Sequence, residues 1–307
     1  MHERTDQRNT ADVDALTDDL TGDPTTASGS CRAEGGQRSG LGWLRLSGAD
    51  GPLLGTMVTV DAPEVSEALA GSGLDWLLID MEHAPTLNAG RVQRVLQAVN
   101  RRCRTVVRVQ ANDPSLIGAA LDAGCDGVLI PHVVGPDDAA RAVQAAKYPL
   151  AGRRSVGIAR AHSYGAMLDD YLRHANDSTA VILQVEDESA VDGIDAILAV
   201  PGVAGVFVGP YDLSGSMGWP GTPDHSAVLA AIDHVRDRCR AAGVPMGIFA
   251  SDPTAAAEQT ERGADLLAVG TDLTLLIGTV HAALAYLRGH PGRDAFRDQS
   301  AANPGDG

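Results

Sequence analysis

One recurring phrase constrains this chain more than any single residue does. A polar, helix-like stretch closes at glycine, two or three residues follow, and a compact apolar run begins. It reads SGLDWLLID at 72–80, AGCDGVLIP at 123–131, PGVAGVFVG at 201–209, AAGVPMGIF at 241–249 and RGADLLAVG at 262–270. Three further runs, LLGTMVTV at 53–60, RTVVRV at 104–109 and AVILQVE at 180–186, complete a set of eight. Their apolar residues are consecutive rather than alternating, the pattern of parallel strands covered on both faces. Several are followed by turns that put Pro at a first helical position, as in Asp113-Pro114, Gly135-Pro136 and Asp252-Pro253. The order is therefore βα, repeated, which predicts an α/β protein of the (β/α)8 TIM barrel type, with its chemistry on the loops after the strand C-termini. An open doubly wound sheet is the alternative, but no G-x-G-x-x-G follows an early strand.

The barrel is expected over residues 41–290. Residues 1–40, rich in Asp, Thr, Gly, Ser and Arg with hardly an apolar residue, read as a disordered acidic tail, and residues 291–307 as a flexible C-terminal tail. Strands four and five stand about 50 residues apart. That connection, including YPLAGRRSVGIARAHSYG at 148–165, is expected to cover the active-site mouth or form a subunit contact. With 24 basic against 40 acidic residues and a formal charge of −16, the chain is poorly suited to build a basic face, so nucleic acid is not an expected partner. No apolar run is long enough to cross a membrane. The N-terminus lacks the features of a secretory signal, so a cytoplasmic location is expected. Four scattered cysteines form no Cys-x-x-Cys pair, and Lys147 is the one lysine, placed at a helix end rather than on a strand, which argues against imine chemistry.

In such a barrel, polar residues at strand C-termini are the candidates for chemistry. Glu186 and Asp212 stand 26 residues apart at the ends of strands five and six, and neighbouring strands lie about 4.8 Å apart. Two carboxylates so close repel unless a cation or proton sits between them, which points to a hard divalent ion; the plainer reading is a salt bridge from each to a rim arginine. His83 and Arg108 end strands two and three. An imidazole there can move a proton and a guanidinium can receive a carboxylate or a developing oxyanion, although either residue alone is as readily structural. Asp122, in the helix after strand three, either orients His83 or is simply solvated. His132 is read as a supporting residue near the mouth.

The strings IDMEHAP (79–85), VRVQANDP (107–114), AALDAGCDGVLIP (119–131), YPLAGRRSVG (148–157), LQVED (183–187) and GPYDLS (209–214) together resemble the HpcH/HpaI aldolase family, from about Leu41 to Leu287. The resemblance implies a metal-dependent class II pyruvate aldolase, an aldehyde-lyase that cleaves a 4-hydroxy-2-oxo acid to pyruvate and an aldehyde. The substrate implied is of the 4-hydroxy-2-oxoheptanedioate or 2-keto-3-deoxy sugar acid type. It also implies that Glu186 and Asp212 hold Mg²⁺, Mn²⁺ or Co²⁺, that Arg108 stabilises the enolate oxygen, and that His83 paired with Asp122 carries protons. Gln184 and Tyr211, with Arg108, would line the pyruvate site. Leu150 and Ser155 depart from the family pattern, both in the long connection. Family members are commonly homohexamers in which the last helix packs on a neighbour, so a homo-oligomer is expected. The alternatives are a related carbon-carbon synthase of citrate-type or natural-product assembly, and a non-catalytic barrel.

Overall fold

The computed structural model describes residues 43–44 and 51–289. Both expected tails, 1–40 and 291–307, lie outside the described residues. Eight strands pair in parallel in chain order and β8 closes on β1: β1 (Leu53–Val58), β2 (Trp76–Asp80), β3 (Arg104–Arg108), β4 (Gly127–Ile130), β5 (Ala180–Val185), β6 (Gly205–Val208), β7 (Met246–Ala250) and β8 (Leu266–Thr271). Between them run α1 (Pro63–Ala70), α2 (Ala89–Val99), α3 (Pro114–Asp122), α4 (Pro136–Ala146), α5 (Leu168–Ser178), α6 (Glu188–Asp192), α7 (Ile194–Leu198), α8 (Pro210–Ser216), α9 (Ser226–Ala242) and α10 (Pro253–Glu261), with α11 (Asp272–Gly289) last. This is the (β/α)8 barrel that the repeated phrase predicts. The helices begin where the sequence signals them: Asp113 accepts the N–H groups of Ser115 and Leu116 at 2.8 and 3.2 Å, and Asp252 that of Ala255 at 2.9 Å.

The period-2 geometry of each strand divides its side chains between two cores. Leu77, Ile79, Val107, Val128, Ile130, Val181, Leu183 and Val185 point outward into the layer under the helices. Trp76, Leu78, Val106, Leu129, Ile182, Phe207, Leu266 and Ala268 point inward and fill the barrel, joined by Trp43 and Leu44. Trp76 and Phe207 meet edge to face at 6.2 Å, and Gly55 makes room for the indole: a Cβ there would lie 2.6 Å from Trp76 Nε1. Large rings beside glycine are how a narrow barrel interior is packed without voids. Truncating Trp76 to Ala would cost about 3–5 kcal/mol.

The same alternation, carried to the strand C-termini, turns Asp80, Arg108, Gln184 and Glu186 toward the barrel axis, where apolar side chains give way to buried polar ones. The barrel thus has an apolar lower plug and a polar mouth.

The long connection after α4 does not cover that mouth, contrary to one of the two expectations for it. Arg160 donates to the carbonyls of Ala123 (2.8 Å) and Leu96 (3.2 Å), and Arg154 to Asp122 (2.6 Å), all at helix C-terminal ends. Helices run back from the mouth, so these anchors hold the connection at the opposite end. No helix among the described residues is long and apolar enough to cross a membrane.

Candidate active site

Asp80 and Arg108 are register partners at the ends of β2 and β3. Arg108 Nε donates to Asp80 Oδ1 at 2.9 Å and Nη2 to Oδ2 at 2.8 Å, a bidentate pair that is buried on both sides. The chain then turns, with Asp80 Oδ1 also accepting the N–H of Glu82 at 3.0 Å. That turn swings Glu82 back over the mouth, where its Oε2 lies 3.1 Å from Arg108 Nη1. This contact is an ion pair without a hydrogen bond, since Oε2 is buried and no donor is aimed at it. Burial works against the Arg108 charge, but the hydrogen bonds and negative charge of Asp80, with Glu82 and Glu186 behind it, hold the guanidinium above its ordinary pKa. Burial pushes the Glu82 carboxyl up; Arg108 pulls it down and Glu186 adds to the rise.

Glu186 enters from the end of β5. Its Oε1 accepts the N–H of His132 at 2.7 Å and lies 3.3 Å from that residue's Nδ1, and its Oε2 accepts from the Gln184 amide. His132 Nε2 lies 3.0 Å from Glu82 Oε1, so one imidazole spans the two carboxylates. His132 adopts the left-handed backbone (φ 58°), which β-branched residues rarely reach and which lets its N–H and ring face Glu186 together. Gly209, after β6, stands against this group: a Cβ there would come within 3.2 Å of both Glu186 Oε2 and Gln184 Nε2.

Of the residues singled out from sequence, Arg108, Gln184 and Glu186 are buried in this cluster. His83 stands at its edge, 64% exposed, with Nε2 3.8 Å from Glu82 Oε2. Asp212 and Tyr211 lie in the first turn of α8, both exposed. Asp122 is not brought to His83. It ends α3, at the far end of the barrel from the mouth, and pairs with Arg154, whose guanidinium lies over the Tyr148 ring at 4.6 Å. Lys147 is likewise remote: its ammonium donates to the carbonyls of Asn176 (2.6 Å) and Thr179 (2.7 Å), and burial brings its pKa to about 8. Glu82 and Asp80 were not singled out, although Asp-x-Glu after an apolar strand was the visible signal for two acids on one face.

The donors fit a hard divalent cation. Glu82, His132 and Glu186 offer ligand atoms within 4.8 Å of one another. Glu82 has its charge met by Arg108, whereas Glu186 is surrounded by an amide, a backbone N–H and an imidazole. Gln184 Oε1 is buried with no hydrogen-bond partner. A buried carboxylate whose hydrogen bonds come from a backbone N–H and an amide, with an unpaired carbonyl oxygen beside it, forms an oxygen-rich pocket suited to such an ion.

The chain is similar to known proteins over most of its length. The profile of the HpcH/HpaI aldolase/citrate lyase family matches residues 54–279. A Salmonella dublin protein named 4-hydroxy-2-oxo-heptane-1,7-dioate aldolase is 43% identical over 237 residues, covering 76% of this chain and 89% of the relative. Among solved structures, an HpcH/HpaI aldolase/citrate lyase family protein from Burkholderia cenocepacia J2315 superposes with a TM-score of 0.76 at 40% identity, covering 80% of this chain and 98% of that one. The citrate synthase SbnG superposes with a TM-score of 0.72 at 26% identity, covering 82% and 98%.

Proposed function

The chain belongs to the HpcH/HpaI aldolase/citrate lyase family and is a carbon-carbon lyase of the class II pyruvate aldolase type, and from that premise we propose that it cleaves a 4-hydroxy-2-oxo acid reversibly to pyruvate and an aldehyde. The observation that carries the reading is the buried Asp80–Arg108 pair facing Glu82 and Glu186 at the barrel mouth. A citrate-type synthase is the second reading, and the 26% identity to such an enzyme against 43% to the aldolase favours cleavage.

The family is metal-dependent. Glu186 and Asp212 would hold Mg²⁺, Mn²⁺ or Co²⁺, with Glu82 and His132 within reach of Glu186. When bound, the ion supplies Lewis acidity toward the 2-oxo acid. Arg108, fixed by Asp80, keeps its fork oriented toward the axis and meets the negative charge that grows on the 2-oxo oxygen as the C3–C4 bond breaks. That electron pair becomes the C2=C3 bond of the pyruvate enolate, the 4-hydroxyl proton leaves and C4 becomes the aldehyde carbon, and return of a proton to C3 then gives pyruvate. His83 at the edge of the cluster takes the hydroxyl proton through its imidazole. Gln184, with its unpaired Oε1, and the start of α8 at Tyr211 line the pyruvate end.

A homo-oligomer, hexameric as the resemblance implies, accounts for two further observations. Helix α11 carries Leu273, Leu276, Ile277, Val280, Leu284 and Leu287 exposed, a stripe that a second copy would cover. Asp122 lies at the opposite end of its own barrel from His83, so the pairing expected of them can form only between two copies.

The test is release of pyruvate from 4-hydroxy-2-oxoheptanedioate, followed by coupled reduction to lactate, with and without chelator. Turnover that needs a divalent ion is expected. Turnover that survives chelation contradicts the metal assignment, and no pyruvate under any ion contradicts the reaction.

A further inference from the structure

The end of the barrel opposite the mouth holds a cavity of about 170 Å³. Five pieces of chain meet there: the end of α2 at Arg101, the start of β3 at Arg104, the turn into β4 at Asp126, the end of α5 at Ser178, and Arg160 of the long connection. In a chain with 40 acidic and 24 basic residues, this lining carries three guanidiniums and one carboxylate. The carboxylate is already engaged. Asp126 Oδ1 accepts from Arg104 at 2.9 Å, and Oδ2 accepts the Thr105 N–H at 2.9 Å and its hydroxyl at 3.1 Å. Cys125 and Tyr171 also face the cavity, and both stay neutral at neutral pH: burial pushes the thiol up to about 12 and raises the phenol as well.

Arg160 is the centre of this charge. Its Nη1 donates to the Ala123 carbonyl at 2.8 Å and its Nη2 to that of Leu96 at 3.2 Å, so its hydrogen bonds go to neutral acceptors. A guanidinium carries five N–H donors, and these two contacts leave several for a further acceptor. Burial and the positive charge of Arg101 both work against the Arg160 charge. The carbonyl ends of the surrounding helices are occupied by cations: those of α2 and α3 by Arg160, and that of α5 by Lys147, whose ammonium donates to Asn176 and Thr179. The backbone also bends to supply Arg101. Asn100 and Arg101 are both left-handed, at φ 48° and 60°, a costly arrangement for residues that carry side chains.

We propose that this cavity binds a phosphoryl dianion, held by Arg160 and Arg101 with Arg104 alongside, at a site separate from the mouth. The guanidiniums come from three elements and so from three directions, which suits a tetrahedral oxyanion; a planar carboxylate presents two oxygens and is filled by a single fork. Free phosphate and a phosphorylated metabolite share this chemistry. The bound dianion joins α2, β3 and the long connection, and so stabilises the anchor that Arg160 makes. The inference stands apart from the aldolase reading.

The test is equilibrium dialysis of the intact protein against radiolabelled phosphate, at constant ionic strength set with sodium chloride. It is repeated on Arg101→Asn, which removes the guanidinium and leaves a residue at ease in the left-handed region. A Kd of about 1 mM or tighter is expected for the intact protein, weakened about tenfold or more in the variant. Acetate should displace phosphate with an affinity lower by about tenfold or more. Glycerol 3-phosphate tells the two sources apart: displacement stronger than by phosphate itself supports a phosphorylated metabolite, and weaker displacement supports the free ion. Because phosphate also has Arg108 within reach at the mouth, hydrogen exchange on the intact protein locates it. Phosphate should slow exchange of the amides at 101–105, 124–126 and 160–161, and this measurement decides alone should Arg101→Asn not fold. No binding by about 10 mM, an affinity in the folded variant within about twofold of the intact protein's, or protection confined to the mouth overturns the proposal. Acetate binding as tightly as phosphate overturns the phosphoryl assignment.

Discussion

The two ends of the barrel use carboxylates in opposite ways. At the N-terminal end Asp75, Asp126 and Asp265 each stand just before a strand and accept a backbone N–H from the start of the preceding one: Leu54, Thr105 and Met246, all at 2.9 Å. Asp126 also accepts from the Thr105 hydroxyl and from Arg104. Each carboxylate brackets two adjacent strands, since its own N–H returns to the carbonyl of the same residue. Within the mouth cluster of Asp80, Glu82 and Glu186, Asp80 alone is so fully engaged, by Arg108. Glu82 Oε2 and Gln184 Oε1 are buried without hydrogen bonds, and Glu186 accepts from the His132 N–H and the Gln184 amide. Satisfied carboxylates hold strands in register; buried polar atoms with spare capacity mark where a ligand completes the structure.

Substitutions should separate the two ends, beginning with the largest effect. Glu186→Ala should remove metal-dependent turnover, a loss of about 10³-fold or more, with the thermal midpoint unchanged or raised because a poorly compensated buried charge is gone. A large fall in the midpoint would move Glu186 into the structural class. Arg108→Met should lower both properties. It strips Asp80 and Glu82 of their counter-ion, costing about 3–5 kcal/mol in denaturant unfolding, and slows pyruvate proton exchange by about 10²-fold or more. Normal exchange in the folded variant would deny it the oxyanion role. His83→Gln should lower cleavage by about 10²-fold and exchange by less, while equal losses would make His83 structural. Asp126→Ala should do the reverse of Glu186→Ala. Stability should fall by about 1–3 kcal/mol while kcat of the folded enzyme stays within about twofold, and a catalytic defect without destabilisation would erase the distinction between the ends.

Much of this was legible in the sequence because strand and helix periods are local. The phrase ending in Gly-x-Asp announced the strands, and in three cases its Asp is the residue that brackets the preceding strand. Arg108 and Glu186 were found because they are polar residues at the C-terminal ends of apolar runs, and the place of Gln184 in the site came from the family resemblance. The first strand reads to Val60 from its β-branched run but ends at Val58, since Asp272, more than 200 residues later, takes the Thr59 and Val60 N–H groups. No local signal carries such a bond. His132 joins two carboxylates through a left-handed backbone that periodicity does not encode. Asp122 was matched to His83 chiefly by the family pattern, one of two readings its own position allowed, whereas helix direction puts the last residue of α3 at the other end of the barrel. The long connection was marked by its length, but only the arginine anchors at 154 and 160 show which end it occupies.

The most direct test of the central claim, that the buried polar atoms at the mouth form an enolising site, is deuterium uptake at the pyruvate methyl group in D₂O, followed by NMR with Mg²⁺, with chelator, and with Glu186→Ala. It needs no aldehyde. Exchange that requires the ion and disappears in the variant is the predicted result. Exchange that persists in the Glu186 variant, or no exchange in the intact protein under any ion, would contradict the account.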